Sequence, residues 1–224
     1  MNQTSLSSRR ICLKQMLGLG ALTGLVANSG GCTFLSQLVM TLEDRRIEAK
    51  FNGLEKKTVA VVCLEATMLR EPGGDAEALA RALGKELAAN IPTMKLISEG
   101  KVADWMDNQR DDVVDFRDVA KGLKAEMIVG VDLRSISIEE KGGTTLRGRA
   151  TLEAKVYDMS KPHEPVHTIE ETQITFPEHG EIHITESAVN FRKLFVQQIA
   201  HRLAKDFYAY DKMLDFNSDP KYID

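Results

Sequence analysis

Four of the five residues from Met127 to Val131 are apolar: Met127, Ile128, Val129 and Val131. A short, near-continuous apolar run is the pattern of a strand buried on both faces. The residues just before it follow a helical period. Phe116, Val119, Ala120 and Leu123 share one face, Asp115 stands at the capping position, and Asp118 suits the positive end of the helix dipole. Gly122 and the following Lys-Ala-Glu turn are expected to end this helix. A buried strand directly after a short helix belongs in the middle of an α/β sheet.

The surrounding pattern extends this reading. Thr58 to Leu64 is a second apolar, β-rich run. A loop ending in Pro72-Gly73-Gly74 leads to Asp75, expected to cap a helix reaching about Asn90, with Leu79, Leu83 and Leu87 one turn apart. Pro92 stops it. A short strand over 94–97 precedes a helix capped by Ser98 and carrying Val102, Trp105 and Met106. Trp105 reads as core at this spacing. This order, β-α-β-α-α-β, implies a parallel sheet with right-handed crossovers.

From Arg134 onward the period becomes two. Leu146, Gly148, Ala150, Leu152, Ala154 and Val156 face one way, while Arg147, Arg149, Thr151, Glu153, Lys155 and Tyr157 face the other. With Lys141-Gly142-Gly143 as a turn, this is an antiparallel hairpin with one wet face. A third strand runs over 166–176, a loop over 177–186, and a final helix over about 187–210. Phe191, Phe195, Ile199, Leu203 and Phe207 of that helix would cover the sheet. The expected fold is α/β with a mixed sheet. Its first half is parallel β-α-β (about 58–133), antiparallel hairpins follow (134–176), and a long C-terminal helix packs on the sheet. The expected organisation is an export signal (1–31), a membrane-proximal helix and charged tether (32–57), one domain (58–210) and a polar tail (211–224).

Charge changes the picture by exclusion. The 224-residue chain carries a formal net charge of −4. The first 31 residues hold Arg9, Arg10 and Lys14 and no acid; removing those three from the 29 basic residues leaves 26 against 33 acidic, a net −7. No basic stripe remains to read nucleic acid or to hold the body on an anionic membrane.

The amino terminus carries an address. Ser8-Arg9-Arg10-Ile11-Cys12-Leu13-Lys14 resembles the twin-arginine export motif, Ser-Arg-Arg-x-Phe-Leu-Lys, with Cys12 where Phe is usual. An apolar segment, Met16 to Ala27, follows in signal-peptide layout. Ser29-Gly30-Gly31-Cys32 then resembles a bacterial lipoprotein cleavage site, with Ser29 where Leu is commoner. That resemblance implies that Cys32 becomes the lipidated first residue of the mature protein. An uncleaved anchor, or ordinary cleavage after Ala27 or Ser29, is the alternative. The apolar face of Phe34 to Leu42 would lie against lipid or pack on the core. With Cys12 in the signal and Cys32 lipidated, Cys63 is left alone, as a small buried hydrophobe.

Candidate chemistry is thin. His163-Glu164-Pro165-Val166-His167 fits the text of the zinc-protease pattern H-E-x-x-H, which works only on a helix. Pro162 and Pro165 break that helix, so an exposed hairpin turn is expected. His179 and His183, among Glu178, Glu181 and Glu186, are weak metal candidates; in an extended loop they would lie ~13 Å apart. No Lys-Ser/Thr follows Gly73-Gly74, and no Gly-x-Ser-x-Gly elbow occurs. No catalytic residue, cofactor or resident metal is expected.

Several segments together carry a family resemblance: Val59-Ala60-Val61-Val62, the helix Ala76 to Asn90, the helix and strand Phe116 to Val131 with Ala125-Glu126-Met127-Ile128-Val129-Gly130, and the alternating strand to Val156-Tyr157-Asp158 followed by Pro165-Val166-His167. Over about 58–210 the chain resembles the periplasmic lipoprotein superfamily of curli-export lipoproteins, the penicillin-binding-protein activator lipoprotein and the amino-terminal domain of the Tol-system propeller protein. The resemblance implies an α/β sandwich that binds a protein in the cell envelope, without catalysis. It departs from the curli-export branch, because Glu139, Glu140, Lys141, Arg147 and Arg149 are too charged for a lipid-facing hairpin. The implied function is a lipid-anchored adaptor or assembly factor facing the periplasm. The alternatives are a subunit of an oligomeric export assembly and a metal-dependent envelope hydrolase.

Overall fold

A computed structural model describes residues 46–65, 74–109, 114–141, 145–178, 182–183 and 188–212. The export segment, Cys32, the stretch Phe34 to Leu42, His179 and the tail beyond Lys212 lie outside them. The chain divides into two compact units, Met1–Arg46 with Asp211–Met213, and Ile47–Tyr210 with Leu214–Asp224. A small two-stranded sheet pairs β1 (Arg46–Ile47) with β8 (Tyr210–Asp211).

The second unit carries a mixed α/β fold, as the residue pattern predicts. In chain order it runs β2 (Thr58–Glu65), α1 (Asp75–Asn90), β3 (Lys95–Leu96), α2 (Glu99–Asp107), α3 (Phe116–Leu123), β4 (Met127–Lys141), β5 (Thr145–Asp158), β6 (His167–Phe176), β7 (Ile182–His183) and α4 (Ala188–Ala204). The main sheet has the order β3-β2-β4-β5-β6, with β7 paired to the start of β5. Strands β3, β2 and β4 are parallel, with Val61 beside Val129; β4, β5 and β6 are antiparallel, with Val129 beside Val156. Val129 is fully buried.

Two differences refine the expected outline. The parallel and antiparallel halves are not separate strands. Instead β4 is one 15-residue strand, parallel to β2 over its first seven residues and antiparallel to β5 throughout, with a register shift between Leu133 and Ser135. That bulge lets one strand leave β2 and continue into the hairpin. The segment read as a loop over 177–186 includes β7, whose His183 pairs by backbone with Thr145.

The two sheet faces differ in cover. On one, α1 and α4 bury Leu79, Leu83, Leu87, Phe195, Ile199 and Leu203 against Val61, Val129, Val131 and Leu152. Leu54, from the stretch read as tether, is fully buried in the same core. On the other face α2 and α3 lay Met106, Phe116, Val119 and Ala120 over Ala60, Val62 and Ile128. The alternation along β5 gives this second face its polar side chains, tied by Arg134–Glu153, Lys155–Glu153 and Arg149–Glu139 ion pairs.

Local details follow from residue chemistry. Asp115 caps α3 by accepting the Arg117 N–H at 2.7 Å, and the Arg117 guanidinium holds its carboxyl below the usual range. Asp75 is not a cap: Gly74 holds that position, and Asp75 is the first helical residue. Ser98 does cap α2 by position, without a side-chain hydrogen bond. Gly122 does not end α3. The helix ends at Lys124 in the left-handed conformation (φ 55°), and Gly122 instead makes room for Trp105, whose Nε1 lies 1.8 Å from where a Cβ would stand. The final helix stops at Ala204, short of the expected 210, yet Phe207 in the following turn is still buried.

Candidate functional site

Helices α1 and α4 lie side by side and run in the same direction. Two polar contacts, one of them an ion pair, fix that alignment. Near their amino ends, Arg192 donates from Nε to Asp75 Oδ1 at 2.7 Å, and the same carboxylate raises the Arg192 pKa. Near their carboxyl ends, His201 Nδ1 stands 2.8 Å from Glu86 Oε1, which also accepts from the Tyr208 hydroxyl at 3.2 Å. Leucines 79, 83 and 87 turn into the core, so the adjoining stripe of α1, with Ala78 and Ala82, turns toward α4 and the surface. From α4, Val196 and Ala200 complete the floor.

The result is a groove of about 790 Å³ along the helix pair. Val189 stands at its amino end and is 63% exposed, the largest exposure among the large hydrophobics of the described residues. The charges along the groove are not balanced within it. Arg81 donates to Glu99 at 2.6 Å and to Glu77 at 3.1 Å, and the bond to Glu99 pulls that carboxyl's pKa down. Lys85 on α1 and Lys193 on α4 line the groove without an ion pair to any described residue. Such a surface, apolar at the bottom and charged at the rim, suits a protein segment.

The sequence-derived candidates fall elsewhere. Ser8, Arg9, Arg10, Leu13, Lys14, Cys32 and His179 lie outside the described residues, and His183 is described only in its backbone pairing. His163 is exposed in the turn before β6, as expected. His167 is not, which corrects the expectation of an exposed turn for both histidines. It opens β6 with a 15% exposed side chain, stacked on Phe51 at 5.3 Å and edge-on to Phe207 at 5.9 Å. Its Nε2 lies 3.4 Å from Asp206 Oδ2, while Lys50 Nζ holds the other Asp206 oxygen at 2.9 Å. The alternation that places Val156 inward places its partner His167 on the same face, beneath the incoming chain.

Two other polar features are structural. Asp132 and Glu153 oppose each other across β4 and β5; burial, then the Glu153 charge, raises the Asp132 pKa. Burial pushes the Cys63 thiol far up, with Glu65 and Asp132 adding to it, so the thiolate is suppressed. Among the described residues, no three His, Cys, Asp or Glu side chains gather as metal ligands would.

The groove itself escaped the sequence reading. Its walls come from segments more than a hundred residues apart, and neither helix shows which flank meets the other. The available signal was small: Ala78 and Ala82 stand one turn apart beside the leucine stripe, and Val189 lies off the Phe191–Phe195–Ile199 face.

No family model matches the chain, and no curated protein matches it in sequence. Among solved structures, the chain is similar to a PelC dodecamer subunit from Paraburkholderia phytofirmans (9% identity, TM-score 0.42, spanning 73% of this chain and 97% of that one). It is also similar to a lipoprotein from Neisseria meningitidis (6% identity, TM-score 0.40, 66% and 97%) and to the LpoB C-terminal domain from Salmonella enterica (11% identity, TM-score 0.37, 56% and 87%).

Proposed function

We propose that this chain is an exported, lipid-anchored protein of the bacterial cell envelope, and that its α/β domain acts by binding another envelope protein, without catalysis. The observation that carries the binding reading is the α1/α4 groove, with its apolar floor, its charged rim and Val189 standing open at one end. Support for the address is sequence-borne: the Ser8 to Lys14 export motif and the Ser29 to Cys32 lipidation site precede the domain.

Cross-linking in intact cells, followed by purification of the full chain, tests this reading. The expected product is a discrete adduct heavier than the chain by the mass of one partner protein. Adducts spaced by multiples of the chain's own mass would replace the adaptor with a subunit of a homo-oligomeric assembly. If the chain stays uncross-linked at every cross-linker length, the binding reading falls.

A further inference from the structure

Resting on that protein-binding reading, we infer that the α1/α4 groove receives an acidic amphipathic helix of the partner protein. Its apolar ridge lies on the groove floor and its carboxylates face Lys85 and Lys193.

Charge decides the sign of the partner. Both carboxylates along the groove are already engaged, Asp75 by Arg192 and Glu86 by His201 and Tyr208. Arg81, also on the lining, is paired with Glu77 and Glu99. The lining thus carries four cations, Arg81, Lys85, Arg192 and Lys193, against two carboxylates, Asp75 and Glu86, with one lysine on each wall outside any ion pair among the described residues. An acidic segment gains two attractive contacts there, whereas a basic one meets repulsion on both sides.

Geometry decides its form. The walls are helices, whose backbone groups are bonded internally, so an extended strand would find no ladder to join. A helix satisfies its own backbone and offers a ridge at the same pitch as the groove walls. From Asp75 to Glu86 the groove runs eleven residues of α1, roughly 16 Å at 1.5 Å per residue, or about three turns. A ridge with apolar residues at i, i+4 and i+7 fits that length. A flat anionic bilayer fits less well, because it would press Glu77 and Glu99 against its own charge together with the lysines.

A photo-reactive residue placed at Val189 in the full chain, in intact cells, tests the inference. A second probe replaces Glu170, which is exposed on β6 at the far edge of the sheet. The expected result is a protein adduct at position 189 whose cross-linked peptide is acidic, with apolar residues at i, i+4 and i+7. Lys85→Glu with Lys193→Glu should lower its yield about tenfold or more. Both lysines are exposed, and an unchanged melting temperature shows that the variant is folded. A basic or unpatterned peptide, a phospholipid adduct, a second copy of this chain, or a yield indifferent to the charge reversal would each overturn it. An adduct only at position 170 would overturn the groove assignment while leaving the protein-binding reading intact; failure of that reading shows instead in the whole-chain cross-linking.

Discussion

Replacing Gly148 with alanine tests how tightly α4 seats on the sheet. A Cβ at this position would lie 2.5 to 2.7 Å from three carbons of the Phe195 ring. Ordinary carbon contacts are about 3.5–4.0 Å, so the ring must retreat by roughly 1 Å. It has little freedom to do so. Phe195 is fully buried and stacks on Phe176 at 6.3 Å, and Phe176 in turn leans on Phe191 at 5.9 Å. Overpacking of this kind costs ~1–3 kcal/mol, offset by ~0.4–1 kcal/mol from the stiffer unfolded chain. The net loss of about 1–2 kcal/mol corresponds to a Tm lower by ~2–8 °C for a domain of this size. Thermal unfolding of Gly148→Ala, Phe195→Leu and the double variant measures it. The double variant should be no less stable than Phe195→Leu alone, because the smaller side chain makes room for the methyl group. Additive losses would show that the two residues do not share the space, and that Phe195 does not seat on Gly148.

Other expectations concern charge, the histidines and the anchor. Burial raises the Asp132 pKa above its unfolded value, so the ionised carboxylate is held at a disadvantage at neutral pH and stability from this group rises as pH falls through the folded pKa. Asp132→Asn should therefore raise Tm at pH 7, with the gain fading below about pH 4; a Tm lowered at pH 7 would contradict the sign. His163→Ala should stay within about 0.5 kcal/mol of wild type by urea denaturation, whereas His167→Ala should cost ~1–3 kcal/mol through the lost Phe51 stack and Asp206 contact. Equal effects would mean that His167 is as idle as His163. For the proposed anchor, Cys32→Ser should move the protein from the detergent phase to the soluble fraction, and Arg9→Lys with Arg10→Lys should block export. Unchanged partitioning or continued export would remove the respective assignment.

Much of this fold was legible because burial imposes a period on the residues. Met127 to Val131 had to be a strand with both faces covered, and α1 and α3 had to turn Leu79, Leu83 and Leu87, or Phe116, Val119 and Ala120, toward it. What stayed hidden depended on contacts between distant residues. Gly122 looks like a helix terminator until Trp105 is placed on it. His167 looks like part of a proline-rich turn until Phe51, more than a hundred residues earlier, covers it. The continuity of β4 was hidden for a different reason: its pattern changes where its neighbour β2 ends, so one strand reads as two. The groove is the extreme case, since it exists only where α1 and α4 meet.

The contact of Phe51 with His167 and Phe207 also defines a load path. Phe51 donates its N–H to the Asp206 carbonyl at 2.9 Å, and Lys50 pairs with the Asp206 side chain, so the chain enters the domain against the segment by which it leaves. Tension applied from the amino-terminal side loads the β1–β8 pairing and then this corner, ahead of the main sheet. It would peel Lys50 and Phe51, and then draw Leu54 from the core, before the long β4–β5 ladder is loaded. Peeling breaks contacts singly and so yields at lower force than shearing a strand ladder, in which many hydrogen bonds must fail together. The corner is thus a fuse: a pull on the chain ahead of it releases the first few residues and spares the sheet and the helix pair that floors the groove.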